Sequence, residues 1–340
     1  MTTTPDATRP RKVTLRDVAQ LAGVSVATAS KALNGRSQVH PETRRRVKEV
    51  ADRLAFTPNS LARAIVAGQT GTLGLLTSDL EGRFSLPILM GAEDATGAGQ
   101  MSVFLCDARG DAIRERYHLR ALLGRRVDGL IVVGSKTDPR PPLSEKVAVP
   151  VVYVYAPSAE PGDMSVVADN VRAGRLAVEH LLSTGRRRIA HVTGDPTYAA
   201  AHDRVRGATE ALAEAGLDLV GPPRFGAWTE AWGRAAAAAV LEEHADVDAV
   251  LVGSDQVARG VLDALHDRGV RVPQDVAVMG FDNWSPMVEG ARPGLTSVDM
   301  RFEEMGRRAV QRLLGALDGA AEPGVEAIEP RVVVRDSTVG

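Results

Sequence analysis

The sequence predicts an α/β protein, with a small all-helical head joined to a larger, doubly wound body. Three observations carry this reading. Strand-length apolar runs recur from Thr72 onward and are separated by helical patterns, the mark of a parallel sheet with crossover helices. The first sixty residues show only helix-period patterns. Charge divides at the same place: residues 1–60 hold eleven Lys/Arg and five Asp/Glu, and the remaining 280 hold thirty and thirty-eight. A basic head on an acidic body fits a polyanion partner for the head alone, or a solvated basic arm with no partner.

The head reads as three short helices. Thr14 can cap the first, with Asp17 three residues on as a weakened capping box. Leu15, Val18, Ala19 and Ala22 form one apolar stripe, and Gly23 ends the helix. Ser25 can cap a second helix, whose Ala29, Ala32 and Leu33 face inward. His40 and Pro41 open a third, lined inside by Val47, Val50, Ala51 and Leu54. The result is a tight helix-turn-helix.

The outer face of the second helix carries Val26, Ala27, Ser30 and Lys31. A face that only had to be solvated would favour Glu, Lys and Gln. Small methyl groups can instead meet thymine methyls in a major groove, and a cation can reach guanine O6/N7 or phosphate. Thr28, Ser30, Asn34 and Arg44, Arg45 and Arg46 of the third helix can hold phosphates, and the capping residues Thr14 and Ser25 join this set. The competing reading is a plain three-helix core with a solvated arginine face.

The segments "VTLRDVAQLAGVSVATASKALNG" and "HPETRRRVKEVADRLAFTPNSLARAIVAG" resemble the headpiece of the LacI/galactose-repressor family of bacterial transcription regulators. Patches of resemblance continue to the C-terminus. Ala29, Lys31 and His40 depart from the family's usual residues. The resemblance implies a DNA-binding headpiece over residues 1–58, a hinge helix and linker over 59–70, and an effector-binding and dimerisation domain over 71–340. That domain is expected to be periplasmic-binding-protein-like and two-lobed. One lobe spans about 71–168 and 300–327, the other about 169–299 and 328–340, and the chain crosses between them more than once.

The linker segment from Asn59 to Ala67 is too short to be helical alone. The resemblance implies that it folds against its dimer mate in the minor groove. Ile65 there takes the place of a wedging leucine, with Leu61 and Ala62 on the adjoining surface and Asn59 at the start. A plain tether is the other reading.

In the body, "LGLLTS", "SVFLCD", "DGLIVV", "VPVVYVYA", "RIAHVTG", "DAVLVGS" and "DVAVMGFD" read as buried strands. "EDATGAGQ", "AIRERYHLRALLG", "AGRLAVEHLLSTG" and "DQVARGVLDALHDRG" read as helices. Open parallel sheets bind ligands beyond the carboxyl ends of their strands. Those ends present Ser78 and Asp79, the Tyr155 region, Asp195, Asp255, and Asp282 with Asn283, while "GAWTEAW" offers Trp228. Carboxylates, an arginine and an indole face suit a polyhydroxylated ring.

The family resemblance places Arg204, within Arg-x-x-Gly, and Asp282 as effector-binding residues, with Trp228 as an aromatic packed on the effector. Ser254 stands where an asparagine is common and Tyr155 where an aspartate is common, so no known member's ligand transfers directly. Each position also has a structural reading. Asp255 can cap the helix after it, Asp282 can fix a turn, Arg204 can pair with Asp203 or Asp282, and Trp228 can be core. His202, adjacent to the pocket, can contact ligand, but a solvated histidine is the preferred reading.

Composition excludes several classes. No run approaches the length of a membrane span, and the start "MTTTPDATRPRK" has no apolar signal segment. The single cysteine, Cys106, forbids an internal disulfide and fits a reducing cytoplasm. No nucleophile elbow, phosphate loop, Gly-x-Gly-x-x-Gly or metal-ligand spacing occurs, so no enzyme, cofactor or metal is expected. A transport binding protein would need an export signal and no basic head.

The expectation is therefore a cytoplasmic homodimer, since one headpiece reads half of a pseudo-palindromic operator. No leucine-heptad tail suggests a tetramer. A small-molecule effector, expected to be a sugar, binds between the lobes and changes operator affinity, with release the expected sense. A nucleoside or purine effector, or control by a protein partner, are the alternatives.

Overall fold

The computed structural model describes residues 13–33, 38–54, 56, 70–79, 83–97 and 101–339. Asn34, Asn59, Leu61, Ala62 and Ile65, and with them the expected hinge helix, lie outside the described residues. The chain divides into two units, Met1–Thr70 and Gly71–Gly340.

The first unit contains α1 (Leu15–Leu21), α2 (Val26–Leu33) and α3 (Pro41–Arg53). The capping box at α1 is complete. Thr14 Oγ1 accepts from the Asp17 backbone N–H, and Asp17 Oδ2 accepts from that of Thr14 at 2.8 Å. Gly23, at φ +64°, turns the chain from α1 toward α2. The Ser25 hydroxyl accepts from Thr28 N–H at 3.1 Å and so caps α2. His40 precedes Pro41 but makes no side-chain cap bond. Val18, Ala19, Ala22, Ala29, Ala32, Val47, Val50 and Ala51 are buried together, and Leu33 and Leu54 pack on them partly exposed.

The second unit begins with β1 (Thr72–Thr77), α4 (Ser85–Thr96), β2 (Ser102–Asp107), α5 (Ala112–Gly124), β3 (Gly129–Val133), β4 (Val151–Val154) and β5 (Met164–Ala168). It continues through α6 (Asn170–Ser183), β6 (Ile189–Val192), α7 (Ala199–Glu214), α8 (Glu230–Glu243), β7 (Ala249–Val252) and α9 (Asp255–Asp267). It ends with β8 (Ala277–Phe281), α10 (Ser285–Val288), β9 (Thr296–Asp299), α11 (Phe302–Leu317), β10 (Gly324–Ile328) and β11 (Arg331–Val333).

Two sheets form two lobes. The first runs β10-β5-β4-β3-β1-β2 and is parallel throughout. The second runs β11-β9-β8-β7-β6, parallel except where β11 meets β9. The chain changes sheet after β5, after β9 and again after β10.

Three helix pairs cover these sheets, and each crosses at facing glycines. A Cβ on Gly91 or Gly306 would overlap a carbonyl of the partner helix in the α4–α11 pair. The same holds for Gly174 and Gly207 between α6 and α7, and for Gly233 and Gly260 between α8 and α9. Backbone meets backbone at these crossings, which fixes the helices to within small tolerances.

One helix differs from the sequence reading. "EDATGAGQ" was expected to be helical, but α4 starts eight residues earlier and stops before Gly97, at φ +73°. Most of its buried face, Ser85, Ile88, Gly91 and Ala92, lies ahead of that segment, and only Thr96 falls within it.

Candidate functional site

The carboxyl ends of β1, β3 and β4 face those of β6, β7 and β8 across a cavity of about 330 Å³, a volume suited to a small solute. Ser78, Asp79, Arg83, Phe84, Ser135 and Tyr155 line it from the first lobe. Tyr198, Ala200, Arg204, Trp228, Gln256, Asp282 and Trp284 line it from the second.

Asp282 is its electrostatic centre. Its backbone lies at φ +98°, unusual for a side-chain-bearing residue, and its N–H donates to Val298 O at 2.9 Å. Its Oδ2 accepts from Arg83 Nη2 at 2.6 Å, and its Oδ1 from Arg204 Nη2 at 3.3 Å. The first of these bonds joins the two lobes.

Arg204 is 3% exposed and is held on every side. It donates to Asn170 Oδ1 at 2.9 Å and Gly253 O at 2.5 Å, and its guanidinium lies 4.8 Å from the Phe281 ring. Burial opposes charge on Arg83, but the adjacent Asp282 carboxylate outweighs it, so that guanidinium's pKa stands above its ordinary value.

Aromatic rings form the rest of the wall. Phe84 stacks on Tyr155 with centroids 4.5 Å apart. Tyr198 meets Trp228 edge-on at 5.7 Å. The Arg83 guanidinium lies 6.0 Å from both the Trp228 and Trp284 rings. Burial pushes the Tyr155 phenol well above the usual tyrosine range, so it stays neutral. Trp228 lines the cavity and also packs on the second lobe's core and on Gly194.

A small hydroxyl network ties the end of β1 and Asp79 to the start of α4. Thr77 Oγ1 and Ser85 Oγ lie 2.7 Å apart, and the Ser85 hydroxyl donates to Asp79 O at 2.5 Å. Across the cleft, the first lobe supplies the start of α7 with acceptors. Ala200 N–H donates to Thr137 Oγ1 at 2.9 Å and Ala199 N–H to Asp138 Oδ2 at 3.3 Å.

Two expected contacts do not line the cavity. Ser254 is fully buried and caps α9, its hydroxyl accepting from Val257 N–H at 3.3 Å. Asp255 is therefore not the cap. Its carboxylate turns inward to accept from Ser297 Oγ at 2.6 Å and Trp284 N–H at 2.7 Å. Burial, then the charge of Asp282, raises its pKa well above the carboxylate range. It secures the turn that carries Asp282 and Trp284. Asp195 also stays outside, closing a local turn onto Thr197 N–H at 2.7 Å. His202 Nε2 donates to Pro196 O, 2.7 Å away, and its ring packs on Phe225. Ser78, Asp79, Tyr155, Arg204, Trp228 and Asp282 do come together.

Arg83, Phe84, Ser135, Tyr198, Gln256 and Trp284 were missed. The same rule would have found most of them had each loop been followed a few residues past its strand. Arg83 and Phe84 lie in "EGRFSLP", Tyr198 in "DPTYAA", and Trp284 directly follows Asp282 and Asn283.

On the head, Ser25, Val26, Ala27 and Lys31 are exposed and Thr28 and Ser30 half-buried. Ala29 and Ala32 face the core. Arg46 spends its Nε on Ala22 O at 3.0 Å, Arg44 turns an Nη toward Val39 O at 3.5 Å, and exposed Arg45 lies 3.7 Å from Glu49. The third helix's arginines thus serve the fold as well as offering charge. Among the described residues no cluster of His, Cys, Asp or Glu could hold a metal, and no helix is long and apolar enough to cross a membrane.

A helix-turn-helix unit and a two-lobed body with a solute-sized cleft define the class of ligand-responsive DNA-binding regulators. Comparison with known proteins agrees. Residues 14–59 match the family model of bacterial regulatory proteins, lacI family, and residues 178–338 match a periplasmic binding protein-like domain. The HTH-type transcriptional regulator CelR of Thermobifida fusca is 35% identical, over 97% of this chain and 99% of that protein. Catabolite control protein A of Priestia megaterium is 33% identical, over 96% and 99%.

Among solved structures, the lac repressor dimer bound to operator and an anti-inducer superposes with a TM-score of 0.77 at 27% identity. It covers 97% of this chain and 100% of that one. A complex of CelR with cellobiose gives 0.66 at 33% identity, covering 96% and 99%. The chain belongs to the LacI family.

Proposed function

We propose that the protein is a homodimeric repressor of carbohydrate uptake or catabolism genes, whose operator affinity changes when a sugar binds between its lobes. Val26, Ala27 and Lys31 on α2 read base edges, and Thr28, Ser30 and Arg44 position the head on phosphates. Two heads on a dimer match the two halves of a pseudo-palindrome.

One observation carries the effector reading. Asp282 sits between two guanidiniums in a cavity walled by Phe84, Tyr155, Tyr198, Trp228 and Trp284. Vicinal hydroxyls can donate to the carboxylate while accepting from the arginines, and the rings' faces suit sugar C–H surfaces. The relative whose complex holds cellobiose supports the same class. Sugar binding that favours one lobe arrangement changes operator affinity by its differential binding energy for the two states. The expected sense is release.

The test is an operator titration by fluorescence anisotropy, using the gene's own upstream DNA with mono- and disaccharides and with purines as the alternative class. Lys31→Ala should weaken operator binding at least tenfold and leave sugar binding intact. Asp282→Ala should abolish the sugar response while DNA affinity is retained. A panel in which no sugar alters affinity refutes the sugar reading. Indifference of the protein to promoter sequence refutes the operator reading.

A further inference from the structure

The Arg83–Asp282 ion pair divides the cleft. Beyond it lies a second cavity of about 390 Å³, and Arg83, Asp282 and Trp284 line both spaces. The pair spans the lobes, since Arg83 follows β1 and Asp282 follows β8, with N and O 2.6 Å apart. The aromatic wall continues past it. Phe302 lines the second cavity, and its ring meets Phe84 of the first edge-on at 5.1 Å.

Charge in the second cavity is compensated. Arg331 lies 2.9 Å from Asp299 and Arg307 lies 3.0 Å from Glu304, and the lining holds as many guanidiniums as carboxylates. Such a surface offers donors and acceptors without a net field. It suits a neutral hydroxylated ligand better than a phosphorylated one.

We infer that the second cavity is an extension subsite for a further ring of a neutral oligosaccharide effector, reached when sugar hydroxyls replace the Arg83–Asp282 bond. This rests on the sugar reading above. Breaking a buried ion pair is costly when it strands the charges. A sugar avoids this, because one hydroxyl can donate to Asp282 Oδ2 while another accepts from Arg83. A single ring fills the first cavity and leaves the pair closed. A chain of two or three rings crosses it, with Trp284 bordering both subsites. Its backbone N–H is pinned by Asp255, so the indole's base is fixed where the chain would pass.

Two measurements on the full-length protein test this. The first is titration calorimetry with glucose, cellobiose and cellotriose. The parent should bind the longer sugars at least tenfold tighter than glucose. Ser285→Phe, which adds a ring to the lining of the second cavity only, should reduce that preference to below threefold. The second needs no ligand: acrylamide quenching of tryptophan fluorescence. Arg83→Ala removes the partition beside Trp228 and Trp284, and the quenching constant should rise about twofold.

Equal affinity for glucose and cellotriose in the parent, or an undiminished length preference in Ser285→Phe, overturns the extension subsite. Unchanged quenching in Arg83→Ala overturns the partition. If no sugar binds while quenching still rises, the oligosaccharide assignment falls together with the sugar reading, and the divided cleft stands.

Discussion

Gly207→Ala tests how the α6–α7 crossing supports the cleft. The added Cβ would overlap the Val171 carbonyl oxygen and lie 3.1 Å from Arg175 N. Ordinary contact is roughly 3.5 Å, so the helices must part by more than ~1 Å. Overpacking of this kind costs about 1–3 kcal/mol, and alanine's better helix propensity returns at most ~1 kcal/mol. A net loss of roughly 1–2 kcal/mol is expected.

The displacement also reaches the site. Arg204 is one turn before Gly207 on α7, and its bonds run to Asn170 at the start of α6 and to Asp282 at 3.3 Å. Losing one charge-assisted bond, at about 1.5–3 kcal/mol, should weaken effector binding about tenfold or more. The assays are urea denaturation and effector titration. Gly124→Ala is the control: it ends α5 in open space and should be neutral or stabilising by up to ~1 kcal/mol. A Gly207→Ala protein with the parent's urea midpoint and effector affinity would refute the close-packing argument.

Two further outcomes follow from buried groups. Burial, then the charge of Arg204, depresses the pKa of His191 to about 3, and among the described residues neither ring nitrogen has a hydrogen-bond partner. The unfolded chain therefore binds the extra proton between pH ~6.5 and ~3, so stability should fall as pH drops through that window, by up to ~1.4 kcal/mol per unit. His191→Leu should flatten this slope in urea titrations at pH 7, 6 and 5, and an unchanged slope would count against it. Asp255→Ala should weaken effector binding several-fold in calorimetry although Asp255 does not line the cavity, because Trp284 and Ser297 lose their acceptor. Unaltered affinity would remove its positioning role.

Much of the architecture was legible because its causes are local. The Thr14–Asp17 capping box, the turn at Gly23 and the Ser25 cap involve residues within a few positions of one another. The α5 segment "AIRERYHLRALLG" coincides with Ala112–Gly124 because Asp111 caps it through two backbone N–H groups. Strand interiors such as "DGLIVV" were plain, being apolar runs buried on both faces. β5 and β9 carry buried Ser or Thr and β10 sets Glu326 on the same face as buried Ile328, so none of the three reads as an apolar run, and β5 and β10 pair with each other from distant parts of the chain.

The site divides in the same way. Ser78, Asp79, Asp282 and Trp228 stood out as polar or aromatic residues near strand ends, and Arg204 through its motif. The motif's glycine has a cause that the sequence does not state, the approach of Val171 across the α6–α7 crossing. Asp255 read as a possible cap of α9 and Ser254 as an effector contact, yet both residue types cap well, and Ser254 takes the role. Ser297, forty-two positions from Asp255, drew the carboxylate inward and left the cap to its neighbour.

Periodicity, capping and turn chemistry act over a few residues, so the helical head, the parallel α/β body and the kind of residues gathered at the strand ends are written locally along the chain. The pairing of Arg83 of one lobe with Asp282 of the other came from the folded arrangement alone. That arrangement also set the pair between two cavities. An ion pair closed over 199 positions of chain depends on how two separately formed sheets face each other, and no local pattern encodes that.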